Sequence, residues 1–415
     1  MVSFNRFTLA NGLRVLVHQD NATPMAVVNM LYDVGARDEN PEQTGFAHLF
    51  EHLMFGGSVN IPHFDGPSQA AGAQNNAFTS NDITNYYITL PAANLETAFW
   101  LESDRMLSLA FSEKSLDVQR NVVCEEFKQR YLDQPYGDVW LRLRPMAYEV
   151  HPYRWATIGK KLSHIEEAKM DDVKAFFARH YTPANAYLVV AGNVETETVK
   201  ALAEKWFGDI PAGQKPLRHL PPEPAQLEAR REVVHADVPQ NAIYIAFHSP
   251  ARNDAAYYAV DLITDLLSQG PSSRLYRRLV KENELFSDIN AYQMGSIDPG
   301  LVVVEGKPLP NVSVEQAEEA IWEQLEQLCA DSIEPYELKK VKNKIESTMV
   351  FAEMALLEKA MNLAYFELLG DADRFNHETD RYLAVTAADI QQQAKKLFRK
   401  ENSSTLIYLS NAHAQ

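Results

Sequence analysis

Alternation of apolar and polar positions marks the amino-terminal part of the chain as β-structure. Over residues 6–34, the segments FTLANGLRVLVHQD and MAVVNMLYDV show the period of two that is typical of half-buried strands. Asn11-Gly12 stands between two apolar runs, and this dipeptide favours the tight turn of a β-hairpin. Residues 43–56 change to helical spacing, so we expect the strands to lead into a helix.

The rest of the chain shows the same order twice. In the first half, strands are predicted at 83–90 and 186–194, and helices at about 93–133, 163–180 and 196–208. In the second half, strands are predicted at REVVHAD, NAIYIAFHS, INAYQMG, GLVVVEG and 405–410, and helices at AAYYAVDLITDLLS, 313–330, 334–369 and 387–399. Each half therefore runs strands, helices, strand, which predicts an α+β fold of two similar domains rather than one large sheet.

A proline-rich segment separates the two halves. Residues 211–226, PAGQKPLRHLPPEPAQ, contain five prolines among polar residues, which is typical of an extended linker. A chain of 415 residues is also longer than a single hydrophobic core usually supports. We therefore predict one domain over 1–212, a linker over 213–228 and a second domain over 229–415.

Composition excludes several partner classes. The formal net charge of −17 disfavours nucleic acid and anionic membrane surfaces, because both bind through basic patches. The same charge suits a basic peptide ligand, although surplus surface carboxylates also serve solubility alone. No run of 18 or more apolar residues is present, so no membrane-spanning segment is predicted.

Cysteine usage and the amino terminus bear on the compartment. Cys124 and Cys329 are the only cysteines and lie far apart, which disfavours a disulfide framework and a cysteine-based metal site. The amino terminus lacks the basic-then-apolar layout of a secretory signal. We expect a cytoplasmic protein, with the periplasm as the alternative if a signal peptide has been removed.

Residues 45–56, GFAHLFEHLMFG, carry the candidate chemistry. On a helix, His48 and His52 share one face, so their imidazoles can bind one metal ion. Glu51 lies beside that face and can take a proton from a water on the metal as the water attacks a carbonyl. The alternative is a core helix with two incidental histidines. Since ionisable groups on so apolar a helix need a partner, zinc is the better interpretation.

His-x-x-Glu-His is the inverted zincin signature, and the surrounding sequence resembles the pitrilysin/insulysin family. The resemblance extends to the segments LYDVGARDENPEQTGFAHLFEHLMFGGS, NNAFTSNDITNYYITLP, HPYRWATIG and WFGDIPAG. It implies two homologous domains, each a mainly antiparallel β-sheet packed with helices, that together form half of a clam-shell chamber. It also implies one Zn²⁺ per chain, with Glu51 as the general base, and peptides or unfolded segments as substrates.

In this family the third zinc ligand is a glutamate on a later helix. The sequence offers Glu125 and Glu126, and alignment on the preceding asparagine and two apolar residues selects Glu126. Many members carry another glutamate earlier on this helix, at the position that Gln119 occupies here. The resemblance therefore assigns His48, His52 and Glu126 as zinc ligands and leaves Gln119 as a neutral candidate for contacts behind them.

The family also binds its substrate as an added β-strand. By resemblance, the main chain of Asn76, Ala77 and Phe78 would form the receiving edge. The alternative is that Asn75-Asn76 makes a turn and that Phe78 packs in the core. His63 and His151 lie in other loops of the first half, and neither is predicted to be a ligand.

The second half departs from the family pattern. Active members carry an arginine and a tyrosine there, which hold the substrate backbone and stabilise the oxyanion. Alignment on Leu279 and Leu285 places Val280 and Ser287 at these positions, and neither residue can replace the pair. Arg274, Arg277, Arg278 and Phe286 are near but out of register.

We therefore predict a zinc metalloendopeptidase that acts as the catalytic subunit of a heterodimer. A homologous partner would supply the arginine–tyrosine pair, and a homodimer is the runner-up. The alternatives are a non-catalytic core subunit of the same fold and a processing peptidase specific for basic presequences.

Overall fold

The computed structural model describes residues 1–411, so the last four residues of the predicted second domain lie outside the described part of the chain. Two β-sheets carry the fold, and helices pack against both. The strands of the first sheet are β1 Asn5–Thr8, β2 Arg14–Gln19, β3 Met25–Tyr32, β4 Gln74–Thr79, β5 Thr84–Pro91 and β6 Ala186–Gly192. The strands of the second sheet are β7 Arg230–Ala236, β8 Ala242–His248, β9 Phe286–Met294, β10 Leu301–Pro308 and β11 Ser403–Ser410.

The two sheets share one topology. The first has the order β1-β2-β6-β3-β5-β4 and the second the order β7-β11-β8-β10-β9. Without β1, the first sheet has the same order as the second: β2-β6-β3-β5-β4 corresponds to β7-β11-β8-β10-β9. In each set of five strands, the strand that comes last in the sequence lies between the two strands that come first. That strand runs parallel to one neighbour, as β6 does to β2 and β11 to β7, and antiparallel to the other. The remaining pairs are antiparallel, so the predicted α+β fold with two similar, mainly antiparallel sheets is confirmed.

The helices are α1 Phe46–Leu53, α2 Asp65–Ala70, α3 Leu95–Leu107, α4 Glu113–Phe127, α5 Val139–Ala147, α6 Ser163–Glu166, α7 Met170–His180, α8 Thr196–Phe207, α9 Tyr257–Ser268, α10 Val314–Ala330, α11 Pro335–Ala352, α12 Leu356–Leu368, α13 Glu378–Ala384 and α14 Ala387–Leu397. Single turns of 3₁₀-helix occur between several of these elements, and π-helical turns span Lys128–Leu132 and Tyr276–Glu282.

Several predicted boundaries change in the structure. The hairpin at Asn11-Gly12 is present, with Gly12 at a φ of +89° between β1 and β2. The helix expected over 43–56 is shorter, because Gly45 adopts a left-handed conformation that precedes α1. The helices expected at 163–180 and 334–369 are each broken in two. Helix α5 was not predicted, since Pro145 in its middle is a strong helix breaker by sequence alone.

The chain forms two compact units that are discontinuous in sequence. The first comprises Met1–Lys128, Trp155–Leu220 and Met349–His377, and the second comprises Gln129–Arg154, Pro221–Thr348 and Glu378–Gln415. Helix α12 of the second half buries Leu363 and Ala364 in the core of the first sheet. Helix α5 of the first half buries Leu143 in the core of the second sheet. Each sheet is therefore covered by a helix that lies in the opposite half of the chain.

The predicted domains over 1–212 and 229–415, with a linker over 213–228, remain a prediction. The segment 213–228 contains no helix or strand, as befits its prolines. Within residues 1–411, no helix is both long and apolar enough to cross a membrane.

Candidate metal centre

Helix α1 carries its polar residues on a half-buried face. Phe46, Ala47, Leu49 and Phe50 are buried, and Phe50 stacks on Phe176 with the ring centroids 5.0 Å apart. The histidines emerge on the other side, with 12% of the His48 side chain and 23% of the His52 side chain exposed. Burial of the apolar face thus fixes which way the two imidazoles point.

Helix α4 packs against α1 and brings a carboxylate to the same place. It begins at Ser112, whose hydroxyl accepts a hydrogen bond of 3.1 Å from the Ser115 N–H. It is held laterally by Arg120, whose Nη1 donates to the Ala168 carbonyl at 2.9 Å. These contacts position Glu126 near the carboxyl end of α4, where its side chain faces the two histidines.

The three side chains form a compact donor set. Glu126 Oε2 lies 3.6 Å from His48 Nε2 and 3.4 Å from His52 Nε2. Their potential ligand atoms all lie within 4.8 Å of one another, and no other such group of His, Cys, Asp or Glu occurs among residues 1–411. Zinc bonds of about 2.0–2.2 Å in tetrahedral geometry place neighbouring ligand atoms about 3.3–3.6 Å apart. Two imidazole nitrogens and one carboxylate oxygen at these distances fit a zinc ion with one position left open.

The structure distinguishes the two adjacent glutamates. Glu125 points to solvent, with 61% of its side chain exposed, and pairs with Lys128 at 2.8 Å. Glu126 has 17% of its side chain exposed and faces the histidines. Gln119 lies on the same face of α4 as Glu126 and is half-buried. No hydrogen bond between Gln119 and the cluster is found in the described chain.

Glu51 lies on α1 between the histidines and the edge of the first sheet. Its Oε2 accepts a hydrogen bond of 2.7 Å from the Thr79 hydroxyl on β4. Burial raises the pKa of Glu51 above its ordinary value, and the Thr79 hydrogen bond and the nearby His52 oppose the rise. A carboxylate beside the two candidate ligand histidines is placed for proton transfer.

The strand β4 lies at the edge of the first sheet and pairs with β5 alone. Asn76, Ala77 and Phe78 are all within this strand, so the alternative of a turn at Asn75-Asn76 is wrong. Phe78 is 38% exposed and does not pack in the core. The Ala77 N–H donates to Asn76 Oδ1 at 2.8 Å. The structure thus places the three predicted substrate-binding residues on an open β-edge beside Glu51.

The positions of the missing pair carry other contacts. Val280 is half-buried in a π-helical turn. Ser287, at the start of β9, donates to the Lys307 carbonyl at 3.1 Å and accepts from Gln240 at 3.0 Å. The nearby arginines are engaged in ion pairs, Arg274 with Glu337 and both Arg277 and Arg278 with Glu282.

The two remaining histidines lie apart from the cluster. His63 is exposed in the loop that precedes α2. His151 is buried, with its Nε2 3.5 Å from Asp298 Oδ2 and its Nδ1 accepting from the Tyr153 N–H. As the sequence predicts, neither belongs to the candidate metal centre.

Two residues of the site were not identified from the sequence. Thr79 contacts Glu51, and Glu39 accepts hydrogen bonds from the Gly45 and Ala47 N–H groups at the start of α1. A signal for Glu39 exists in retrospect. An acidic residue shortly before a helix that begins with glycine is a candidate cap, because glycine offers no side-chain acceptor.

Two family models match the chain. Residues 14–148 match the model described as insulinase (peptidase family M16), and residues 168–345 match the model described as peptidase M16 inactive domain. The candidate zinc ligands all lie in the first of these regions.

Individual relatives match over nearly the whole chain. The zinc protease PqqE of Helicobacter pylori is 31% identical over 408 residues, which cover 97% of this chain and 91% of the relative. The uncharacterized zinc protease YmxG of Bacillus subtilis is 26% identical over 407 residues, which cover 97% of each.

Solved structures agree. A protease from Helicobacter pylori superposes with a TM-score of 0.92 at 29% identity, covering 98% of this chain and 100% of the other. The periplasmic protease PqqL from Escherichia coli shares the fold, with a TM-score of 0.80 at 19% identity. That match covers 99% of this chain but only 48% of the other. The present chain thus corresponds to about half of the longer fold.

Proposed function

The chain belongs to the insulinase family of peptidases, peptidase family M16, and we propose that it is a zinc metalloendopeptidase that hydrolyses peptides or unfolded segments. The observation that carries the proposal is the donor set of His48, His52 and Glu126 beside Glu51. A structural role alone would not require two imidazoles and a carboxylate at zinc-ligand separation with a second carboxylate within reach.

Each side chain has a distinct role in the proposal. His48, His52 and Glu126 would hold a zinc ion, which would supply Lewis acidity towards water and the scissile carbonyl. Glu51 takes the proton of the attacking water and delivers it to the leaving amine. Thr79 fixes the Glu51 carboxylate through its hydroxyl. Gln119, on the face of α4 that bears Glu126, is the candidate for a supporting contact to that ligand.

The open edge of β4 is the proposed substrate platform. A peptide added as a further strand would hydrogen-bond to the main chain of Asn76, Ala77 and Phe78. Since Thr79 on the same strand bonds Glu51, the edge that holds the peptide is coupled directly to the general base. Main-chain binding of this kind tolerates many sequences, and it requires an extended segment rather than a folded protein.

We further propose that the active form is a heterodimer with a homologous partner, and that a homodimer is the alternative. Two observations support this. Val280 and Ser287 stand where active relatives carry an arginine and a tyrosine, and the chain corresponds to about half of the longer PqqL fold. A partner of the same fold that carries the pair would complete both the substrate clamp and oxyanion stabilisation.

The same two positions favour a second candidate function, a non-catalytic subunit of this fold. Metal analysis and peptide cleavage distinguish the two. The zinc peptidase binds one zinc per chain and, with its partner, cleaves an unfolded peptide. A chelator abolishes cleavage, and added zinc restores it. A chain that binds no zinc and cleaves nothing with any homologous partner is the non-catalytic subunit instead.

Comparison of the cleavage of a basic presequence with that of a mixed peptide library separates a processing peptidase from a general one.

A further inference from the structure

Helix α1 is too short to be stable by itself, although His48 and His52 on it must be held accurately to bind a metal. It has eight residues, and isolated helices of this length are unstable in water. Its N-cap residue, Gly45, has a φ of +89° and offers no side chain to cap the first N–H groups. These N–H groups are inside the protein and need acceptors from elsewhere in the chain.

The side chain of Glu39 supplies those acceptors. Its Oε2 accepts from the Gly45 N–H at 2.9 Å, and its Oε1 accepts from the Ala47 N–H at 2.8 Å. Because the two oxygens bind two separate N–H groups of the first turn, the carboxylate restrains both the rotation of α1 and its position along its axis. Ala47 immediately precedes His48, so this restraint acts next to the first candidate ligand.

Glu39 is itself held in place. The Trp155 indole N–H lies 3.1 Å from Glu39 Oε2 and 2.9 Å from the Ala36 carbonyl, and Trp155 is 2% exposed. On its other side, the start of α1 touches the segment after Trp155, since a Cβ atom added at Gly45 would lie 2.6 Å from the Ile158 carbonyl oxygen. The helix start is therefore enclosed between Glu39 and residues 155–158.

Carboxylate burial at this position is costly. Glu39 is 6% exposed, and none of the ion pairs within residues 1–411 involves it. Burial raises its pKa, and the hydrogen bonds from the Ala47, Gly45 and Trp155 N–H groups oppose the rise because they stabilise the ionised form. A neutral Ser or Asn would cap a helix without that cost. What the carboxylate adds is a two-pronged acceptor of fixed geometry.

The geometric demand on α1 is strict. Side-chain atoms about 5–6 Å from a helix axis move by about 1 Å when the helix rotates by about 10°. Metal–ligand distances tolerate deviations of only about 0.2 Å. A small rotation of α1 would therefore take His48 and His52 out of reach of a metal held by Glu126 on α4.

We propose that Glu39 is a positioning residue for the metal centre, which clamps the start of α1 so that His48 and His52 stand at zinc-binding distance from Glu126. This inference rests on the proposed function, because it takes those three residues to be the zinc ligands. Glu39 does not touch substrate or metal. Its effect is on the affinity of the site for zinc and on the geometry of the three ligands.

The test compares full-length variants for zinc affinity, by competition with a chromophoric chelator, and for the visible spectrum of the cobalt-substituted chain. In Glu39→Gln, the amide NH₂ must face one of the donors, so at least one capping bond is lost. We expect zinc affinity to fall about 10- to 100-fold, as for other residues that orient metal ligands, and the cobalt bands to shift. Trp155→Phe keeps both capping bonds, removes the indole N–H, and should lower zinc affinity less.

The matched control is Glu378→Gln. Glu378 is also a buried carboxylate, is hydrogen-bonded to Arg252 and Tyr258, and belongs to the second compact unit. It should lose thermal stability while zinc affinity and the cobalt spectrum stay at wild-type values.

The outcomes separate the two proposals. If the wild type binds zinc and Glu39→Gln binds it within twofold of the wild type with an unchanged cobalt spectrum, the positioning role is wrong. If Glu39→Gln does not fold, Glu39→Asp, whose shorter side chain cannot reach both N–H groups, decides by the same readouts, and wild-type affinity and spectrum would overturn the proposal. A wild type that binds no zinc overturns the proposed function itself.

Discussion

Thr79 Oγ1 on the edge strand β4 lies 2.7 Å from Glu51 Oε2 on helix α1 and donates a hydrogen bond to it. This bond joins the strand that is open for peptide binding to the carboxylate proposed as general base. It also holds Glu51 against rotation into solvent, since Glu51 is anchored to the sheet as well as to its own helix.

Replacement of Thr79 by Val should lower kcat about 10-fold or more, because a hydrogen bond to a charged group contributes about 1.5–3 kcal/mol and Val keeps the side-chain shape. Zinc affinity should be unchanged. Thr79→Ser, which keeps the hydroxyl, is the control and should retain most of the activity. Equal kcat values for the Val and Ser variants would show that the hydroxyl does not act on Glu51.

Glu126 and its neighbour Glu125 provide a variant and a matched control for testing the third metal ligand. Glu126→Gln should weaken zinc binding by at least about 100-fold, since it removes an anionic ligand. Glu125→Gln, on the solvent side, should leave zinc binding unchanged. Chelator competition measures both, and loss of zinc in the Glu125 variant with retention in the Glu126 variant would reverse the assignment.

A proline on the open edge tests the substrate platform. Proline is tolerated on edge strands, and β4 is an edge strand of the first sheet. Ala77→Pro should therefore fold, keep its zinc and raise KM about 10-fold by removing a donor from the edge. Phe78→Ala, which keeps the main chain, should change the preference among peptide sequences more than the mean KM. A wild-type KM in the proline variant would exclude β4 as the receiving edge.

The predicted partner should act through the missing pair. We expect the chain alone to have weak peptidase activity, and a homologous partner with the arginine–tyrosine pair to raise kcat/KM about 100-fold or more, the scale of oxyanion stabilisation. A partner in which the pair is replaced by Val and Ser should bind equally well and fail to activate. Full activity of the isolated chain, unchanged by any partner, would exclude this division of roles.

His180 should make stability depend on pH. Burial lowers its pKa to about 4 from an ordinary value of 6.5, so below pH 6.5 the unfolded chain takes up a proton that the folded chain excludes. The free energy of unfolding should therefore fall as pH drops from 6.5 to 4, by up to about 3 kcal/mol from this residue. Urea unfolding of the metal-free chain at several pH values measures it. The His180→Gln variant should show a shallower slope, and an unchanged slope would contradict the assignment.

Local pattern predicts the parts of this site that lie on one element. The spacing of His48 and His52 is enough to place them on one helical face, and local pattern predicts the strands of both sheets except β4. Glu126 required the family resemblance, because no local pattern links α4 to α1. Thr79 and Glu39 were missed, since their partners are distant in sequence and their roles arise only from tertiary packing. The exchange of α5 and α12 between the two sheets has the same cause.

The most direct test of the central claim is the cleavage rate of Glu51→Gln at the same zinc occupancy as the wild type, both measured in the assembly in which the wild type is active. The account predicts one zinc per chain in both proteins and a loss of kcat of about 100-fold or more in the variant, because the metal site is intact and the general base is gone. A variant with full zinc and wild-type kcat would contradict it.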